Sequence, residues 1–111
     1  VEKHLISGSM GMLLLGLLTE KDMYGYEMIE TLRERSQNVF ELKAGTLYPL
    51  LHGLEEKGLL TVYEKEVGGK VRKYYAITRE GKRAFLKKRQ DWQVYRDAVG
   101  QVIGGALYGT V

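Results

Sequence analysis

At 111 residues, 44% hydrophobic and 28% charged, the chain is sized and balanced for one globular domain with a single modest core. It holds no cysteine, which excludes disulfides, thiolate catalysis and cysteine-based zinc sites, and suits a reducing compartment. The net charge of +3 is small but uneven: residues 1–42 hold 4 basic and 7 acidic side chains, residues 43–90 hold 12 and 5, and residues 91–111 hold 1 and 2. A basic middle between acidic flanks is expected of a surface that meets a polyanion, although a solvated Lys/Arg face gives the same excess.

The apolar run Met10–Leu18 is shorter than the roughly 20 residues needed to span a bilayer. Lys21 and Asp22 follow it without a small-residue cleavage site, so neither an anchor nor a secretory signal is expected, and the expected location is cytoplasmic. Because the run is apolar around its whole circumference, it predicts a helix buried on two sides, the second against another subunit. Tyr24–Ser36 puts Met28, Ile29 and Leu32 on one side and Glu30, Arg33 and Glu34 outward, which predicts an amphipathic helix; residues 37–42 break that period.

The next helix is the clearest. Leu47, Leu50, Leu51 and Leu54 form one stripe, and Pro49 restricts the start to Ala44–Thr46, with Thr46 as the expected cap. Lys57-Gly58 supply the stop. The hydrophobic period then changes to two over Leu60–Val67 and Val71–Ile77, with Gly68-Gly69 between them as a hairpin turn. Thr78 is placed to cap a last helix over residues 79–103, ended by Gly104-Gly105, with a loose tail over 104–111. On that helix Phe85, Trp92 and Val99 recur every seven residues, with Tyr95 and Val102 three beyond the latter two. Such a seam predicts a dimer interface with the same helix of a second chain.

This order of elements predicts a mainly α fold with a small β-hairpin: a winged helix-turn-helix over residues 1–78, wing 60–77, then a dimerisation helix. In such a fold the N-terminal part of the third helix reaches base edges in the major groove. The face opposite the leucine stripe carries Gly45, Thr46, Tyr48, Pro49, His52 and Gly53, with no carboxylate in its first two turns and Lys43 at its start. Lys70, Arg72 and Lys73 cluster just past the turn, a charge placement suited to phosphates or a minor groove.

These residues bring out a specific resemblance. Tyr24-Gly25-Tyr26-Glu27, Gly45-Thr46-Leu47-Tyr48-Pro49, Leu54-Glu55-Glu56-Lys57-Gly58-Leu59-Leu60 and Arg72-Lys73-Tyr74-Tyr75-Ala76-Ile77-Thr78 followed by Gly81 stand in order. Together they resemble the PadR family of bacterial transcriptional regulators. The resemblance implies a homodimer that binds a pseudo-palindromic operator in double-stranded DNA and represses a neighbouring gene. Family members often release DNA when an aromatic or drug-like molecule binds. By this resemblance, with the residue reading beside it, the DNA contacts are Tyr24, Lys43, Thr46, Tyr48, His52, Lys70, Arg72 and Lys73. Tyr48 has an alternative role, bracing the helix against the core.

Trp92 is the only tryptophan. The drug-sensing subgroup of the family stacks planar ligands on a tryptophan of its last helix, which implies a ligand platform at Trp92 with Met12 and Leu5 beside it. The other reading is an aromatic anchor of the helix–helix contact. Lys87, Lys88, Arg89 and Arg96 nearby point to a neutral or anionic aromatic rather than a cationic one. Neither an enzyme nor a cofactor or metal site is expected, because His4 and His52 complete no catalytic or metal-binding pattern. The rival reading is a winged-helix protein–protein adaptor without DNA binding.

Overall fold

Leucine and methionine side chains from three helices meet under a small sheet. The computed structural model describes residues 2–107, with side chains from residue 2 to residue 104. Its elements are α1 (Lys3–Glu20), β1 (Met23–Tyr24), α2 (Gly25–Arg35), α3 (Ala44–Glu56), β2 (Leu60–Val67), β3 (Lys70–Ile77) and α4 (Arg79–Leu107). The core joins Met10, Leu14, Leu15 and Leu18 of α1 to Met28 and Leu32 of α2 and Leu47 and Leu51 of α3, closed by Leu60 and Tyr75 of the sheet. The mainly α winged-helix architecture is therefore as the residue pattern predicts.

The sheet is antiparallel in the order β1-β3-β2. Gly68 and Gly69 lie at φ +60° and +81°, the left-handed pair that a two-residue hairpin turn requires. Leu60 pairs with Ile77 and Val67 with Lys70, so β2 and β3 match over their full length. Tyr75 thus faces the core, while Tyr74 and Arg72 point to the opposite face. β1 was not expected from the sequence. Two residues carry no readable period, and Met23 and Tyr24 become a strand only because Tyr75 and Tyr74 lie alongside.

α3 ends in a Schellman cap: the Leu59 N–H donates to the Leu54 carbonyl at 3.0 Å and the Gly58 N–H to the Glu55 carbonyl at 2.9 Å, with Gly58 at φ +76°. At its start, Lys43 and not Thr46 is the cap residue, and it caps without a side-chain bond. Thr46 is already inside the helix, its N–H donating to the Lys43 carbonyl at 2.9 Å. Pro49 consequently falls in the second turn, and the Gly45 carbonyl lacks its usual intrahelical donor.

Two other boundaries differ from expectation. α1 begins at Lys3 rather than near Met10, and Ser9 does not break it because its hydroxyl folds back onto the Leu5 carbonyl at 3.1 Å. α4 continues past Gly104-Gly105 to Leu107 with a bend at Ile103 (φ −107°, ψ 15°), so residues 104–107, expected to be loose, are helical; residues 108–111 lie outside the described part. At its beginning, Thr78 caps as expected, its hydroxyl accepting from the Gly81 N–H at 2.9 Å.

With 29 residues, α4 runs about 43 Å at 1.5 Å per residue. The radius of gyration, 16.1 Å, exceeds the roughly 13 Å of a compact chain of this length, because α4 projects from the domain. Its first turns pack on α1. The Phe85 ring lies over Gly16, where an added Cβ would come within 2.9 Å of Cε1. Phe85, the first residue of the expected seam, is half-buried against α1 of its own chain and also borders the groove that reaches Trp92. Beyond it the same face is open: Trp92 is 44% and Val102 83% exposed.

Candidate nucleic-acid interface

The stripe that seats α3 in the core turns its other face outward: Gly45, Thr46, Tyr48, Pro49 and His52 are all exposed, with Lys43 at the N-terminal end. Its first turn contains no acidic residue, so the free N–H groups and partial positive charge of the helix end stand without a competing carboxylate. Nothing lies within 4 Å of a Cβ added at Gly45, which leaves this part of the helix low and open.

Beside it is a cleft of about 380 Å³ between α3, the start of α2 and β3. Tyr24, Tyr48, His52, Arg72 and Lys73 all line it, so five of the eight expected contact residues come together. Lys43 and Thr46 stand outside the cleft along the same helix start, and Lys70 is exposed at the hairpin tip.

Tyr48 has a packing partner. Its ring covers Gly25, where an added Cβ would lie 2.8 Å from Cζ, yet the residue remains 39% exposed. The bracing role is therefore physically present, and it leaves an edge of the ring at the surface. Tyr75, beneath, is buried, and that burial pushes its phenol above the ordinary value, so it is a neutral part of the core.

The sheet's outer face carries an arrangement that sequence spacing does not reveal. The guanidinium of Arg72 lies 4.2 Å from the centre of the Tyr24 ring. Tyr24 meets Tyr74 edge-on at 5.5 Å, and Tyr74 stacks on Tyr63 at 5.7 Å. Lys65 sits 5.5 Å over Tyr74. The Tyr63 hydroxyl donates to the Asp22 carboxylate at 2.6 Å, and that bond, with burial and the carboxylate charge, raises the Tyr63 phenol above its ordinary value. Arg72 is thus a propped cation, whereas among the described residues neither Lys70 nor Lys73 has an aromatic or carboxylate partner.

The second set of expected residues also meets. Leu5, Met12 and Trp92 line one groove of about 400 Å³ between α1 and α4, together with Tyr95, Lys88 and Asp91. Trp92 and Tyr95 stack at 6.3 Å. A wider groove of about 510 Å³ adjoins Trp92, bordered by Phe85, Arg89 and the Glu20–Arg35 ion pair. Among the described residues no group of three or more His, Asp or Glu could hold a metal ion, and no helix is long and apolar enough to cross a membrane.

Comparison with known proteins places this geometry. Residues 14–87 match the model of the transcriptional regulator PadR-like family. The chain is 37% identical to a PadR family transcriptional regulator of Eggerthella lenta, with a TM-score of 0.79 over 90% of this chain and 86% of that one. A transcriptional regulator of Clostridium thermocellum superimposes with a TM-score of 0.82 at 31% identity, over 89% and 97%. The transcriptional regulator YqjI of Escherichia coli is 30% identical over 90% of this chain, which spans about half (47%) of that relative's length. The matched segment runs from α1 through the wing into α4, and on it the chain belongs to the PadR-like family of transcriptional regulators.

Proposed function

We propose that the chain is a homodimeric repressor that binds a pseudo-palindromic operator, with the start of α3 in the major groove and the wing on adjacent phosphates. The observation that carries this reading is the cleft in which Tyr48 and His52 of α3 meet Arg72 and Lys73 of the wing, on a helix whose first turn holds no acid and whose start exposes Lys43, with Lys70 exposed at the hairpin tip. A protein–protein adaptor has no need for that charge at that place. Tyr24, Tyr48, Thr46 and His52 supply hydrogen bonding and stacking at the groove, and the four cations supply phosphate contacts. A repressor of this kind acts in the cytoplasm, where bacterial DNA lies.

Dimerisation through the distal part of α4 is supported by its open apolar face, with Trp92, Tyr95 and Val102 exposed in the single chain. A planar aromatic ligand, neutral or anionic, fits the groove where Trp92, Met12 and Leu5 meet, and its binding there releases DNA. Trp92 fluorescence titrated with an aromatic carboxylate and with a cationic aromatic dye tests this: saturable quenching by the carboxylate and not by the dye is expected, and none with either leaves Trp92 as an anchor only.

Footprinting on the promoter of the protein's own gene tests the whole reading. Two protected half-sites about one helical turn apart are expected. Protection without boundaries, or none, would sink it.

A further inference from the structure

We propose that Asp22 is a positioning residue for the wing: its bond to Tyr63 and the tyrosines stacked behind it fix the pose of Arg72 and Lys65 relative to α3. The inference rests on the DNA-binding reading and adds to it a residue that need not touch DNA. A β-hairpin held only at its base is marginally ordered on its own, and β1 supports β3 through just two residue pairs. The Asp22–Tyr63 bond is a further tie, joining residues 41 apart across the sheet from the α1–β1 turn to β2.

From that tie the contacts run in sequence. Tyr63 stacks on Tyr74 at an interplanar angle of 18°, Tyr74 abuts Tyr24, and Arg72 rests on Tyr24. Lys65 and Arg72 are direct cross-strand partners of like charge, an arrangement that is unfavourable unless each has another neighbour. Here each lies over a tyrosine ring. Tyr24 immediately precedes α2, whose Gly25 holds the Tyr48 ring of α3, so wing and recognition helix share one support. A carboxylate beside a DNA-facing surface would by itself repel phosphates, and a positioning role offsets that cost.

The experiment is a double-substitution cycle on operator affinity, using the full chain and the promoter fragment protected by the wild type. Asp22→Ala and Tyr63→Phe are each expected to weaken binding about three- to tenfold, as for loss of one hydrogen bond. The pair together should weaken it no more than either alone. Asp22→Asn, which keeps an acceptor oxygen, should restore most of the affinity. The salt slope should stay that of the wild type, since no phosphate contact is removed. Tighter binding by Asp22→Ala would mean that the carboxylate only repels DNA, and additive losses or unchanged affinity would likewise overturn the inference. Should a variant unfold, backbone relaxation of residues 64–73 in Tyr63→Phe gives the same test without DNA: increased wing motion is expected, and unchanged motion refutes the tie. Failure of the wild type to bind any promoter fragment would instead overturn the DNA-binding reading itself.

Discussion

Replacing Lys70, Arg72 and Lys73 by alanine should change the salt dependence of DNA binding by a calculable amount. Among the described residues none of the three pairs with a carboxylate within 4 Å, so each is available to a phosphate. Each phosphate contact contributes about 0.9 to the slope of log affinity against log salt, so losing three flattens it by about 2.7. Between 50 and 200 mM salt the wild type should therefore lose about 40-fold more affinity than the variant. Fluorescence anisotropy with a labelled promoter duplex reads this directly. Lys70 and Lys73 are exposed and their loss should leave stability within about 0.5 kcal/mol. Arg72 is different. Its stacking on Tyr24 is worth about 0.5–1 kcal/mol, so the double variant sparing Arg72 separates charge from packing. Parallel salt plots for wild type and triple variant would refute the phosphate role of the wing.

Three further outcomes are expected. Val102→Asp introduces a charge where the single chain is 83% exposed, so the fold should be indifferent; sedimentation should nevertheless shift from dimer to monomer, and an unchanged dimer would place the interface elsewhere. Gly81→Ala puts a Cβ within 2.7 Å of Ile77 Cγ1 and against the Leu59 backbone, and should cost about 1–3 kcal/mol, read as a lower urea midpoint at constant m. The hydrogen bond from Arg35 holds the Glu20 carboxyl below its ordinary value, so the folded chain keeps this group ionised further into acid than the unfolded chain does. The stability it contributes is present above the ordinary carboxylate range and lost as pH falls through the lowered value. Wild type should accordingly lose stability faster than Glu20→Gln on acidification below the ordinary carboxylate range, by thermal melts.

What was legible in the sequence was what local chemistry decides. The hairpin needed Gly68-Gly69, the end of α3 needed Gly58, and both stand at positive φ as those turns require. The leucine stripe of α3 was readable because one face of one helix is buried. The misses share a cause in contacts between segments far apart. β1 exists through its pairing with β3, the Phe85 ring finds room over Gly16 of α1, a contact no spacing shows, and Asp22 meets Tyr63 across the sheet. The Thr46 cap failed for a different reason. Thr46 is a good capping residue, but the chain turns three residues earlier at Lys43, where residues 37–42 deliver it.

The proposed role of the cleft between α3 and the wing is to read a DNA sequence. Its most direct measurement is the affinity for the protected promoter duplex against a scrambled duplex of equal length and composition, at one fixed salt concentration. Preference by a factor of about 10³ or more is expected, while equal affinity for the two duplexes would contradict it.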